Sequence, residues 1–170
     1  MALRFITPLG FLQMICHGNN MASSNRIQSP DKKGETLFIN PNFVKKILSE
    51  TRARPMLEIC GLLLGSSGHV TEIMPMPNIA PNPRRFFEME TAGLITAHRE
   101  ARRRHLSVIG HYHSHPSGSC LPSATDAALA HYGQYWLIAA FNKIEGWYAC
   151  KSGRIEGVFL PCELILHKSV

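Results

Sequence analysis

Apolar positions along the chain come in two periodicities, and their alternation sets out the elements. TLFI from Thr36 predicts a short strand. Asn40 then caps a helix with Pro41 at its first position, and Phe43, Val44, Ile47 and Leu48 share one face at helical spacing. Pro55 ends that helix. ICGLLLG, from Ile59 to Gly65, is a continuous apolar run of the kind found in a strand buried on both faces. Ser66, Ser67 and Gly68 turn the chain into a second strand, HVTEIM. A proline-rich loop, PMPNIAPNP, leads to RRFFEM, which reads as an edge strand. Thr91 opens a helix to about Arg104, with Leu94, Ile95 and Ala101 as its inward positions. SVIGHYHSH reads as a strand stopped by Pro116, and Ser123 starts a helix over ATDAALAHY. YWLIAAF, GWYACKS and IEGVFL follow as three more strands. Interleaved helices and strands place the chain in the α/β class, as a single mixed β-sheet sandwiched by helices.

Length and composition fit this picture. The 170 residues, 45% hydrophobic and 18% charged, suffice for one domain with a sizeable core. The polar, Asn- and Ser-rich stretch from Gly18 to Gly34 reads as a linker. Residues 1–34 are therefore expected to be a disordered leader, or an extension ahead of a start at Met21, and residues 35–166 the folded domain. MALRFITPLGFLQMIC is broken by Thr7, Pro8, Gly10 and Gln13 and lacks a small-x-small cleavage site, which argues against secretion. No run is long enough for a membrane-spanning helix. Five cysteines without a CxxC pair favour a reducing, cytoplasmic compartment, though a Cys60–Cys120 bridge is left open. The net charge of +6 rests largely on Arg84, Arg85, Arg99, Arg102, Arg103 and Arg104. With no aromatic interleaving, these read as a solvated helix face or a dock for an acidic protein rather than a nucleic-acid surface.

The histidines change the picture most. His111, His113 and His115 alternate along one strand and project to one side, roughly 6.6 Å apart in Cα. Neighbouring members can share an ion; the outer two, roughly 13 Å apart, cannot. The pair is 111/113 or 113/115, and Pro116 puts His115 at the strand's carboxyl end, which favours the second. Asp126 is the carboxylate within reach. It also completes a Ser123-x-x-Asp126 capping box, and the two roles are compatible. Two histidines and one carboxylate leave a fourth position open, as in catalytic zinc sites. Glu58, set among Leu57, Ile59 and Leu62, is either the general base for an activated water or a carboxylate on an exposed junction. An H-x-E…P-C-x-x-C deaminase signature and a helical H-E-x-x-H are both absent.

HSHPSGSCLPSATD, from His113 to Asp126, fits the H-[ST]-H-x7-S-x2-D pattern of the JAMM (MPN+) metalloproteases without a gap, and PMLEICGLLLGS resembles the family's upstream glutamate segment. NIAPNPRRFFEM is similar to the compact prokaryotic members, so the resemblance extends from about Thr36 to Phe159. It implies an MPN/JAB-like fold with cytidine-deaminase-like architecture. It also implies one Zn2+ per chain on His113, His115 and Asp126, Glu58 as proton shuttle, and Ser123 as donor to the oxyanion. His111 has no catalytic role in that pattern and reads as packing beside the site. The implied reaction is hydrolysis of a peptide or isopeptide bond at the C-terminal tail of a ubiquitin-like or sulfur-carrier protein. A module that binds such tails without cutting, and an amidohydrolase of small molecules, are the alternatives. Strand addition at RRFFEM is the expected mode of tail binding.

Overall fold

The structure, a computed structural model, describes residues 35–167; the expected leader over residues 1–34 lies outside them. Seven strands and three helices follow in the order β1 (Thr36–Ile39), α1 (Pro41–Ala53), β2 (Cys60–Ser66), β3 (His69–Met76), α2 (Thr91–Arg103), β4 (Ser107–Ser114), α3 (Ala124–Leu129), β5 (Tyr135–Ala140), β6 (Lys143–Ala149) and β7 (Phe159–Leu166). The strands form one mixed sheet in the order β1-β3-β2-β4-β5-β6-β7. It closes on itself because β1 pairs in parallel with both β3 and β7.

Local chemistry accounts for the helix starts. The Asn40 side chain accepts from the backbone N–H of Asn42 at 2.9 Å, and Pro41 occupies the first turn of α1, where its missing N–H costs nothing. The two faces of β2 are both buried, and its residues divide by period two. Leu63 joins a core with Leu37, Ile39, Leu137 and Ile47 of α1. Leu62 and Leu64 pack on the other face against Ala97 and Ala101 of α2. Burying both faces is why ICGLLLG carries no polar alternation. In α2 the inward positions are Leu94, Ala97 and Ala101, while Ile95 is 55% exposed. The small alanines let the helix lie close to the sheet, and Ile95 falls off that stripe.

RRFFEM is not a strand. Within that stretch only Met89 makes a β-bridge, to Asn78. The N–H groups of Arg85 and Phe86 bond instead to the Asn82 carbonyl at 3.1 and 3.2 Å, a tight turn entered through Pro81 and Pro83. Closure of the sheet also removes the free edge that strand addition needs, so the expected docking mode has no edge among the described strands. At the far end, IEGVFL begins with a turn, and β7 starts at Phe159 and runs on to Leu166.

Register brings the histidine strand to the centre of the sheet. On one side β4 pairs antiparallel with β2, placing His113 opposite Cys60 and His111 opposite Leu62. On the other it pairs in parallel with β5, placing His111 beside Trp136 and His113 beside Ile138. A Cβ on Gly110 would lie 1.9 Å from the Tyr135 carbonyl oxygen, so this junction requires glycine. No described helix is long and apolar enough to cross a membrane.

Candidate metal centre

The β4 ladder ends at Ser114, and His115 leaves it with its N–H bonded to the Ala139 carbonyl at 2.8 Å. That departure swings the imidazole back over its neighbour: His113 Nε2 and His115 Nε2 come to 2.9 Å. Asp126, in the first turn of α3, completes the group, with Oδ1 3.3 Å from His113 Nε2 and Oδ2 3.4 Å from His115 Nε2. His113 is fully buried and Asp126 nearly so. Two ligand atoms on one tetrahedral ion at about 2.0–2.1 Å would sit about 3.3 Å apart, so the spacing suits zinc. His111 stays with Trp136, its ring centroid 3.8 Å from the indole, and does not join the cluster.

Protonation fits the same reading. The His115 Nδ1 faces the Ser119 carbonyl at 3.0 Å. A carbonyl can only accept, so Nδ1 carries a hydrogen and Nε2 is the nitrogen turned to the cluster. Burial alone would raise the Asp126 pKa, but hydrogen bonds from His113 and His115 outweigh it and hold the carboxyl well below its usual range. Burial pushes His113 down despite the Asp126 carboxylate, keeping the imidazole neutral. Burial would also lower His115, but Asp126, Glu58 and the Ser119 carbonyl outweigh it and raise its pKa, so a zinc ion would take the place of the proton on its Nε2 to complete a donor set of two imidazoles and a carboxylate.

Asp126 also closes a capping box. Ser123 N–H donates to Asp126 Oδ2 at 2.7 Å, Ser123 Oγ donates to the same oxygen at 2.6 Å, and Asp126 N–H donates to Ser123 Oγ at 3.2 Å. The cap therefore fixes the carboxylate's rotamer while Oδ1 remains aimed at His113. The loop before it is pinned by the Trp147 indole N–H, which donates to the Cys120 carbonyl at 2.9 Å. The Cys60–Cys120 bridge does not form; both thiols are free and buried.

Glu58 is 7% exposed and, with His115, Ser123 and Asp126, lines a cleft of about 10 Å³. That is room for about one water molecule. Burial lifts its pKa to about 7, with His115 opposing and Asp126 reinforcing the rise. Two residues that sequence reasoning missed hold it there. Ser114 Oγ accepts from the Ile59 N–H at 3.0 Å and donates to the Leu57 carbonyl at 3.4 Å. Asn78 Nδ2 donates to the Glu58 carbonyl at 2.9 Å and the Phe86 carbonyl at 3.0 Å, while its Oδ1 accepts from Ala80 and Glu88 N–H at 3.0 and 3.1 Å. The Glu58 N–H closes the arrangement by donating to the Pro83 carbonyl at 2.7 Å. The loop thus folds over the site and lays Phe87 on His113, with centroids 4.6 Å apart. A tripeptide Asn-Ile-Ala flanked by prolines was the available signal, since an Asx side chain there often bonds its own loop.

Residues 41–151 match the family model of prokaryotic homologs of the JAB domain. The chain belongs to this family. Among individual proteins it is 34% identical over 90 residues to the probable TtuB-protein conjugate cleaving protease of Thermus thermophilus, covering 51% of this chain and 60% of that one. It is 37% identical over 86 residues to the desampylase of Haloferax volcanii, covering 48% and 60% respectively. The chain thus spans about three fifths of the length of these two relatives. A solution structure from Desulfitobacterium hafniense superposes with a TM-score of 0.68 at 25% identity, covering 79% of this chain and 95% of the other.

Proposed function

We propose that this JAB-family chain is a zinc metallopeptidase that cuts a peptide or isopeptide bond at the C-terminal tail of a ubiquitin-like or sulfur-carrier protein. The observation that carries the chemistry is the convergence of His113 Nε2, His115 Nε2 and an Asp126 oxygen, all within 4.8 Å of one another, beside a buried Glu58. The two relatives whose names describe cleavage of protein conjugates support the substrate class. In this reading the metallopeptidase domain occupies residues 35–166.

His113, His115 and Asp126 would hold one zinc ion through two imidazoles and a carboxylate. Zinc, when bound, supplies Lewis acidity to the attacking water and to the scissile carbonyl. Glu58 takes the proton from that water and delivers it to the leaving nitrogen; a pKa near 7 suits both halves of that exchange. The Ser123 hydroxyl turns from Asp126 Oδ2 to donate to the oxyanion as it develops. Asp126 and His113 stay fixed by the capping box and the buried strand, so the ligands need no reorganisation during turnover.

The test is cleavage of carrier conjugates and of C-terminally extended carriers by the wild-type chain, by the chelated protein and by Glu58→Gln. Expected is release of the carrier, lost on chelation, and at least about 100-fold slower in Glu58→Gln. Undiminished cleavage by the Gln variant refutes the mechanism.

A further inference from the structure

Exposed arginines are ordinarily solvated and without a task, and Arg84 is one: exposed, and not part of the lining of the Glu58 cleft. Arg85 differs. It lines that cleft together with Glu58, His115, Ser123 and Asp126, and it is the one lysine or arginine among the described lining residues. Two buried carboxylates, Glu58 and Asp126, line the same cleft, yet Arg85 pairs with neither. The arginine ion pairs among the described residues belong to Arg103 and Arg104.

An unpaired guanidinium offers a planar fork of donors that matches a carboxylate. Phe86, Phe87 and Leu129 line the cleft beside it, and apolar neighbours strengthen such a pair relative to one in open solvent. The charge balance makes this residue decisive. Glu58 and Asp126 repel an incoming anion, and Arg85 is the fixed positive charge that opposes them.

The loop's anchoring gives the side of the bond. Glu58 N–H donates to the Pro83 carbonyl at 2.7 Å, and Arg85 N–H donates to the Asn82 carbonyl at 3.1 Å, so the turn carrying Arg85 is tied to Glu58. Ser123, the proposed donor to the oxyanion, belongs instead to the cap of α3. In the proposed reaction Glu58 serves the leaving nitrogen, which puts the leaving group on the Arg85 side. When that group is a single amino acid, its α-carboxylate carbon lies about 2.5 Å from the nitrogen and shares the cleft with it. A lysine isopeptide nitrogen ends a four-carbon stem and brings no carboxylate there.

We propose that Arg85 selects the leaving group: it pairs with the free α-carboxylate of one amino acid joined to the carrier's C-terminus, and so favours that bond over an isopeptide bond to lysine. The choice of bond rests on the hydrolase reading above; the carboxylate contact does not. Hydrolysis adds water across the C–N bond, leaving a carboxylate on the carrier and releasing the amino acid with its amine.

The test compares three substrates of the metal-loaded chain: a carrier extended by one alanine, the same carrier ending in alanine amide, and a lysine isopeptide conjugate. Expected for the wild type is a kcat/KM for the acid at least about tenfold above the other two, the effect of one charge-assisted contact. Arg85→Gln should bring the acid down to the amide, Arg85→Lys should restore part of the preference, and Arg84→Gln, the same charge change outside the cleft, should keep it. Equal rates for acid and amide in the wild type, a preference that survives Arg85→Gln, or an equal loss in Arg84→Gln would overturn the proposal. Both arginines are exposed, so thermal melting should match the wild type in each variant. Where no substrate is cleaved, the hydrolase reading fails, and calorimetry with the same acid and amide decides the contact. Tighter binding of the acid by the wild type and not by Arg85→Gln upholds it; equal binding overturns it.

Discussion

Asn78 touches neither the proposed ligands nor the cleft, yet Asn78→Ala should slow catalysis severely. Its side chain makes four bonds to loop backbone. Two of them, to Phe86 and Glu88, are exposed, so water replaces them at little cost. The other two, to the Glu58 carbonyl and the Ala80 N–H, are part-buried, and each is worth about 1 kcal/mol net. About 2 kcal/mol then stops holding Glu58 and its loop in place. At 1.36 kcal/mol per decade, that is about a thirtyfold fall in kcat when the misplaced carboxylate is the rate-limiting defect. KM should stay within about twofold, because Leu129 of α3 and the sheet make no contact with the Asn78 side chain and are unchanged. Asn78→Asp keeps the acceptor and loses both donated bonds, so it should also be slow, whereas a purely steric role would be rescued by it. The assay is steady-state cleavage of a carrier conjugate beside thermal melting. Were the same 2 kcal/mol lost from global stability, Tm would fall by several degrees. An unchanged kcat with that lowered Tm would show that Asn78 merely supports the fold.

Chelation should lower both Tm and activity, and one equivalent of zinc per chain should restore them; His113→Ala should abolish stoichiometric zinc binding measured by calorimetry. In the metal-free protein the raised Glu58 pKa has a definite sign: the folded state binds this proton more tightly than the unfolded chain does. Its contribution to stability is therefore present below about 4.5 and is lost as pH rises to about 7, and Glu58→Gln should flatten that slope in denaturant titrations across the window. In the active protein, kcat/KM should rise with pH through the same region as the carboxylate ionises, and a rate independent of pH from 5 to 8 would remove Glu58 as the base. Gly110→Ala should cost about 3 kcal/mol or more, because the new methyl meets the Tyr135 carbonyl at 1.9 Å between two central strands; wild-type melting of that variant would contradict the register of β4 on β5.

The convergence of His113, His115 and Asp126 was legible because these residues are local in sequence. His113, His115 and Asp126 lie within 14 residues, and strand alternation, a proline stop and a capping box already limit where their side chains can go. Even so, the pairing of 113 with 115 works for a reason that alternation does not contain. The ladder stops at Ser114, and the turn beyond it brings two Nε2 atoms to 2.9 Å instead of leaving them a strand repeat apart. The α/β class and the two-sided burial of β2 were also readable, because apolar runs report burial directly. Closure of the sheet was not. It depends on Thr36–Ile39 meeting Glu163–Leu166, a pairing across more than a hundred residues that no local pattern encodes. RRFFEM failed for a related reason. Its two phenylalanines look like strand residues, but Asn78 and the turn at Asn82 claim the backbone groups a ladder would have used. The expected docking strand is thereby turned into the wall that carries Phe87 against His113. The same hydrogen bonds that cost this segment its edge set Glu58 beside the His113, His115 and Asp126 cluster, so the loop's departure from strand geometry is what brings the four side chains together.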